Sequence, residues 1–115
     1  MTVTIYHNPR CSKSRQTLAL LEERGIAPRI VDYLKTPPSA AELKTVLRTL
    51  GLKPRDLLRK NERRYAELGL KDRELDDDAL IALMAANPIL IERPIVVSGG
   101  KAALGRPPET VLEIL

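Results

Sequence analysis

The stretch HNPRCSKSR, residues 7 to 15, gathers the chain's single cysteine and single histidine with Arg10, Lys13 and Arg15. A free cysteine titrates near ~8.5, and neighbouring cations or a helix N-terminus lower that by one to several units, giving a thiolate at neutral pH. Ser12 and Ser14 add hydroxyl donors, and the amides of a first helical turn would point at any anion held there. A nucleophile and an oxyanion cradle in one loop are what attack on a tetrahedral anion requires. The residues alone leave a blander reading open, because an unpaired cysteine often packs as a small hydrophobe. Polar neighbours on both sides of Cys11 weigh against it. His7 has two readings as well: it tunes the thiolate by hydrogen bonding or charge, or it is a half-exposed ring at a strand end.

The elements that must position this loop follow from pattern. Residues 2 to 6, TVTIY, are β-branched or aromatic and read as a strand, and Asn8-Pro9 is a turn signal. A helix is expected from Ser12 to about Arg24, with Leu18 and Leu21 on its apolar face and Gly25 as its stop, so Cys11 falls at a helix N-terminus. RIVDYL, residues 29 to 34, reads as a second strand in a buried setting, and strand, helix and strand in that order imply parallel strands. Ser39 and Glu42 form a capping-box pattern ahead of Leu43, Val46, Leu47 and Leu50, with Gly51 closing that helix. Short helices are expected in RDLLRKNE and RRYAELG, and a capped helix in DDDALIALMAANP, residues 76 to 88. PIVVSGGKAAL reads as a β-hairpin and PPETVLEIL as a closing helix. The order β-α-β, helical block, β-β-α is that of an α/β domain with a mixed sheet.

Composition narrows the partners. At 115 residues the chain fits one domain, and with no Trp or Phe its core must be built from Leu, Ile, Val and Ala. A net charge of +4 favours anions. Both signs are interspersed, however, and aromatics for stacking bases make up only 3%, so a small anion is expected rather than nucleic acid. No apolar run approaches the roughly 18 residues of a membrane span, and the first residues lack the features of a signal peptide. From these absences no membrane association and a cytoplasmic location are expected; a lone cysteine can form neither an internal disulfide nor a cysteine-rich metal site, so no bound metal is expected and any redox cycle is completed by an outside thiol. Cys11 and Ser14 fit a single-thiol form of the redox C-x-x-C pattern. Arg59, Arg93 and Arg106 are not singled out by pattern among nineteen Lys and Arg, although the last two precede proline and are biased to extended backbone.

Motifs spread over nearly the whole chain resemble one family: YHNPRCSKSR, YLKTPPS, LLRKNE, NPILIERPIVV and GRPPETVLEIL, in that order. The chain resembles the glutaredoxin-linked arsenate reductases, most nearly their short YfgD-like members, within the thioredoxin-like group that also holds the Spx-type regulators. The resemblance implies a thioredoxin-like α/β fold, βαβ plus ββα around a mixed sheet, as a single domain over 1–115 with a helical insertion at about 39–87. It implies Cys11 as the nucleophile, Arg59, Arg93 and Arg106 as binders of the oxyanion, Arg15 as support, and a cis Arg93-Pro94 bond facing the thiol. Arsenate or a similar oxyanion would be the substrate, glutathione a co-substrate, and glutaredoxin the partner that resolves a mixed disulfide. The alternatives are a glutathione-dependent thiol oxidoreductase with another substrate and, with less support, an Spx-like regulator that binds RNA polymerase. The latter usually switches through C-x-x-C, whose second position here is Ser14.

Overall fold

The computed structural model describes residues 2–115. It divides into two compact units, one formed by the first 36 residues together with Arg93–Leu115, the other by Pro37–Glu92. The first unit carries the sheet. β1 (Val3–His7) leads through a four-residue loop into α1 (Ser12–Glu23), and β2 (Arg29–Asp32) returns parallel to β1, with His7 opposite Asp32. Later in the chain β3 (Ile95–Ser98) pairs antiparallel with β1, Tyr6 opposite Ile95, and β4 (Lys101–Leu104) pairs antiparallel with β3. The strand order is β2-β1-β3-β4. A sheet of this kind with helices is the expected mixed α/β arrangement.

Alternation along the strands puts Ile5, Val96 and Ala103 on one face, where they form a core with Leu21 of α1 and Val111. Val111 lies in the closing segment Pro108–Ile114, which folds as a 3-10 helix rather than the α-helix its sequence suggests. It starts with proline at its first position and runs seven residues, longer than most 3-10 pieces. β2 also departs from expectation. Pairing stops at Asp32, and the amides of Lys35 and Thr36 turn back onto the Asp32 carbonyl, so Tyr33 and Leu34 lie beyond the strand. β2 is an edge strand, and Ile30 is 51% exposed where a buried setting was expected.

The second unit is helical. α2 (Ala40–Leu50) starts at Ser39, whose hydroxyl accepts the Glu42 amide, and ends at Gly51 with φ +71°, the left-handed conformation that favours glycine. Leu43, Val46 and Leu47 are buried, and α2 packs on α4 (Asp77–Ala86), itself capped by Asp76. Between them, the segment expected to be helical from Arg55 to Glu62 is helical only as far as Leu57, within one 3-10 turn over Pro54–Leu57. Leu58 instead bridges Ile91, flanked by bonds from the Arg59 amide to Leu90 O and from the Glu92 amide to Leu57 O. α3 (Arg63–Glu67) follows as a short helix. No described helix is long and apolar enough to cross a membrane.

Candidate functional site

Cys11 caps α1 with extended backbone (φ −93°, ψ 123°). Its amide reaches back to Asn8 O at 3.0 Å, and its carbonyl accepts the Arg15 amide at 3.0 Å as the first bond of the helix. The side chain is therefore at the positive end of twelve aligned peptide groups, partly exposed. Burial alone would push the thiol pKa up. The Ser14 amide, the Arg93 guanidinium and the Lys13 amide all favour the thiolate, and together they hold Cys11 below the ordinary thiol value.

Two arginines reach this sulfur from the two ends of the β3–β4 hairpin. Arg93, two residues before β3, is 7% exposed, and its guanidinium favours the charged form of the Cys11 sulfur. Arg106, two residues after β4, places Nη2 at 3.5 Å from Sγ and donates from Nε to the Arg93 carbonyl at 2.8 Å. Ninety-five residues separate Arg106 from Cys11 in sequence. Antiparallel pairing of Ile95 with Leu104 is what brings both arginines to one end of the sheet. The Arg93-Pro94 bond is cis, as the resemblance implied, and Arg106-Pro107 is cis as well.

A close three-way contact joins the hairpin to α1. The Gly105 amide donates to Pro94 O at 2.9 Å, and a Cβ at Gly105 would run into Thr17 Oγ1 of α1 and stand 2.7 Å from Pro94 Cγ. Thr17 is fully buried and donates to Lys13 O at 2.8 Å. Only a glycine lets the hairpin base approach the cysteine helix this closely.

Under the loop lies a buried polar cluster. His7 Nδ1 is 2.5 Å from Ser14 Oγ, which also accepts the Asn8 amide at 3.0 Å; His7, Asn8 and Ser14 are all buried. Ser14 is the bearer of both contacts: its amide faces the Cys11 sulfur while its hydroxyl ties down His7 and the loop. Burial lowers the His7 pKa, Asp32 across the sheet pulls it back up, and Arg15 adds to the lowering, so the net shift is downward and the ring is neutral at neutral pH. His7 is thus a buried member of the loop's support rather than a half-exposed ring. Arg15 donates from Nη1 to Pro9 O at 2.9 Å and braces the loop from the helix. Ser12 occupies the first turn of α1.

Arg59 lies in the other unit. Its Nε donates to Glu62 at 3.0 Å and its Nη1 to Glu92 at 2.5 Å, so two carboxylates neutralise it locally. Sequence reasoning passed over Asn8, Thr17, Asp32 and Gly105. Asn8 carried a signal, since its Oδ1 accepts the Arg10 amide in the local turn that asparagine favours ahead of a loop. The other three act through partners distant in sequence. Among the described residues no three His, Cys, Asp or Glu side chains could together hold a metal ion.

The model of the ArsC family matches residues 6–114. The chain is 57% identical to the uncharacterized protein YfgD of Escherichia coli (strain K12), over 98% of this chain and 96% of that one. It is 53% identical to an arsenate reductase of Neisseria meningitidis serogroup A, over 98% and 97% of the two chains. Among solved structures, an arsenate reductase from Vibrio cholerae superposes with a TM-score of 0.96 at 60% identity, covering all of this chain and 98% of that one.

Proposed function

The chain belongs to the ArsC family, and from that membership we propose that it is an arsenate reductase whose nucleophile is Cys11, with glutathione as co-substrate and glutaredoxin as the protein that resets the thiol. The observation that carries the reading is the Cys11 sulfur at the N-terminus of α1 with Arg106 Nη2 3.5 Å away, and the Arg93 guanidinium favours its charged form. A helix N-terminus and two guanidinium groups suit a tetrahedral dianion, since each guanidinium can grip two oxygens. Arg59 is paired with Glu62 and Glu92.

The reaction runs in three steps. The Cys11 thiolate attacks arsenic, an S–As bond forms, and one arsenate oxygen leaves as water after taking up protons. Arg93 and Arg106 stabilise the negative charge on the remaining oxygens. A glutathione thiolate then attacks the Cys11 sulfur; the S–As bond breaks with its electron pair passing to arsenic, so arsenic(V) becomes arsenic(III) and the two thiols become a mixed disulfide. Arsenite leaves. A glutaredoxin thiolate takes the glutathionyl group and returns Cys11 to the thiolate. The lone cysteine requires this external route, because an internal disulfide relay needs a second thiol. Dependence on glutathione fits a reducing, cytoplasmic setting.

A coupled assay with glutathione, glutaredoxin and glutathione reductase tests the reading through arsenate-dependent NADPH consumption. Wild type should turn over and Cys11→Ser should not. A folded wild-type chain inactive beside working coupling enzymes would overturn arsenate as substrate. The regulator alternative has less support, because Ser14 stands where a second switch thiol would be and its hydroxyl is engaged with His7 and Asn8.

A further inference from the structure

Beside the cysteine loop, within the sheet-bearing unit, is a cleft of about 400 Å³ lined by Asn8, Pro9, Arg10, Asp32, Leu34 and Lys35. Its size falls in the range of small-molecule sites, roughly 300–1,000 Å³. It opens past the carboxyl ends of the parallel strands β1 and β2, where α/β sheets hold their ligands. Asn8 and Pro9 also anchor the Cys11 loop through the backbone of Arg10 and the side chain of Arg15, whereas the side chains of Arg10, Asp32 and Lys35 have no such bond and neither Arg93 nor Arg106 lines the cleft. Its charges are mixed. Arg10 and Lys35 are exposed cations, and Asp32 shares the lining with its Oδ1 buried and without a hydrogen-bond partner among the described residues. A buried carboxylate oxygen without a partner costs free energy that an incoming donor would offset.

We propose that this cleft binds the thiol co-substrate by its charged ends: the carboxylates of a γ-glutamyl thiol tripeptide on Arg10 and Lys35, and its ammonium on Asp32. The inference rests on the glutathione-dependent reading above. An inorganic oxyanion alone has no use for Asp32, and a simple cation has none for Arg10 and Lys35. A zwitterion with two negative ends and one positive end matches all three. Arg10 adjoins Cys11 in the chain, so a tripeptide held here contacts the residue next to the one its thiol must attack. Leu34 and Pro9 supply apolar wall for the peptide backbone.

The test uses binding rather than turnover. Full-length Cys11→Ser protein, which cannot form the disulfide, is titrated with S-methylglutathione while backbone amide resonances are followed. Saturable shifts are expected at Asn8, Asp32 and Lys35. Adding Lys35→Glu should weaken binding by about tenfold, as should Asp32→Asn, each removing one charge-assisted contact. The N-acetylated probe, which lacks the ammonium, should bind more weakly to the Asp32 protein and no more weakly than the parent probe to the Asp32→Asn protein. A flat titration, shifts confined to other residues, or binding indifferent to Lys35→Glu overturns the cleft. Arsenate turnover by the wild-type chain is read separately, so failure of the cleft and failure of the reductase reading are distinct results.

Discussion

Cys11 and its two arginines carry predictions that separate charge from geometry. Arg93 is almost fully buried and its guanidinium lowers the Cys11 pKa. Arg93→Ala should therefore move the pH profile of thiol alkylation to higher pH; an unchanged profile would mean that the helix amides alone set the thiolate. Arg93→Lys keeps the charge and loses the two-pronged grip, so kcat/KM for arsenate should fall by at least about tenfold, given roughly 1.5–3 kcal/mol for a hydrogen bond to a charged group. Wild-type-like turnover in that variant would remove the oxyanion clamp. His7 supplies a stability prediction. Its folded-state pKa is depressed, chiefly by burial, so the unfolded chain binds more protons as the pH falls below about 6.5. The contribution is complete above that pH and is lost as the pH drops through the lower folded value. Urea unfolding from pH 7.5 to 4.5 should show this decline in wild type and a smaller one in His7→Gln; parallel curves would refute it. The nucleophile was readable from sequence because every group acting on Cys11 from its own loop lies within a few residues. Arg59 was not, because one of the carboxylates that neutralises it, Glu92, is 33 residues away.

The helix ends were equally readable, for the same local reason. Ser39 and Gly51 act within one turn of their own helix, and Ser39→Ala should cost about 1 kcal/mol in chemical denaturation. Gly51 has open space around its Cα, so Gly51→Ala strains only the left-handed backbone and should cost a similar amount. Gly105 is different. Its Cβ would strike Thr17 and Pro94, and such overpacking costs about 1–3 kcal/mol. Gly105→Ala should also slow Cys11 alkylation or turnover beyond what its stability loss explains, since Arg106 is the next residue. Thr17→Ala in the same chain should recover part of the stability, and strict additivity of the two changes would show that the contact is not the cause. Sequence pattern erred where tertiary partners decide. LLRKN has helical composition, yet Leu58 is drawn into a bridge with Ile91. Ile30 and Val31 look like a buried strand, yet β2 is an edge.

Across the chain, the sheet depends on long-range pairing. β1 must meet β3 about ninety residues later, with the whole of Pro37–Glu92 between them. Such pairing must bring distant segments together before contacts reward it. Amides of Ile5 and Val96, paired at the centre of the sheet, should exchange with deuterium only through global unfolding, whereas the edge strand β2 exchanges sooner. Equal protection of β2 and β1 would contradict this. The topology was foreseeable from the order of elements, but the convergence of Cys11, Arg93 and Arg106 required the register itself. That register also has a practical side. Both arginines sit at the open end of the hairpin, clamped by the Ile95 and Leu104 pair, whereas Gly99 and Gly100 form the turn at the far end. A reporter group or short peptide spliced between those two glycines would leave the spacing of the guanidinium groups untouched, which makes the hairpin tip a natural attachment point for a sensor built on this thiol.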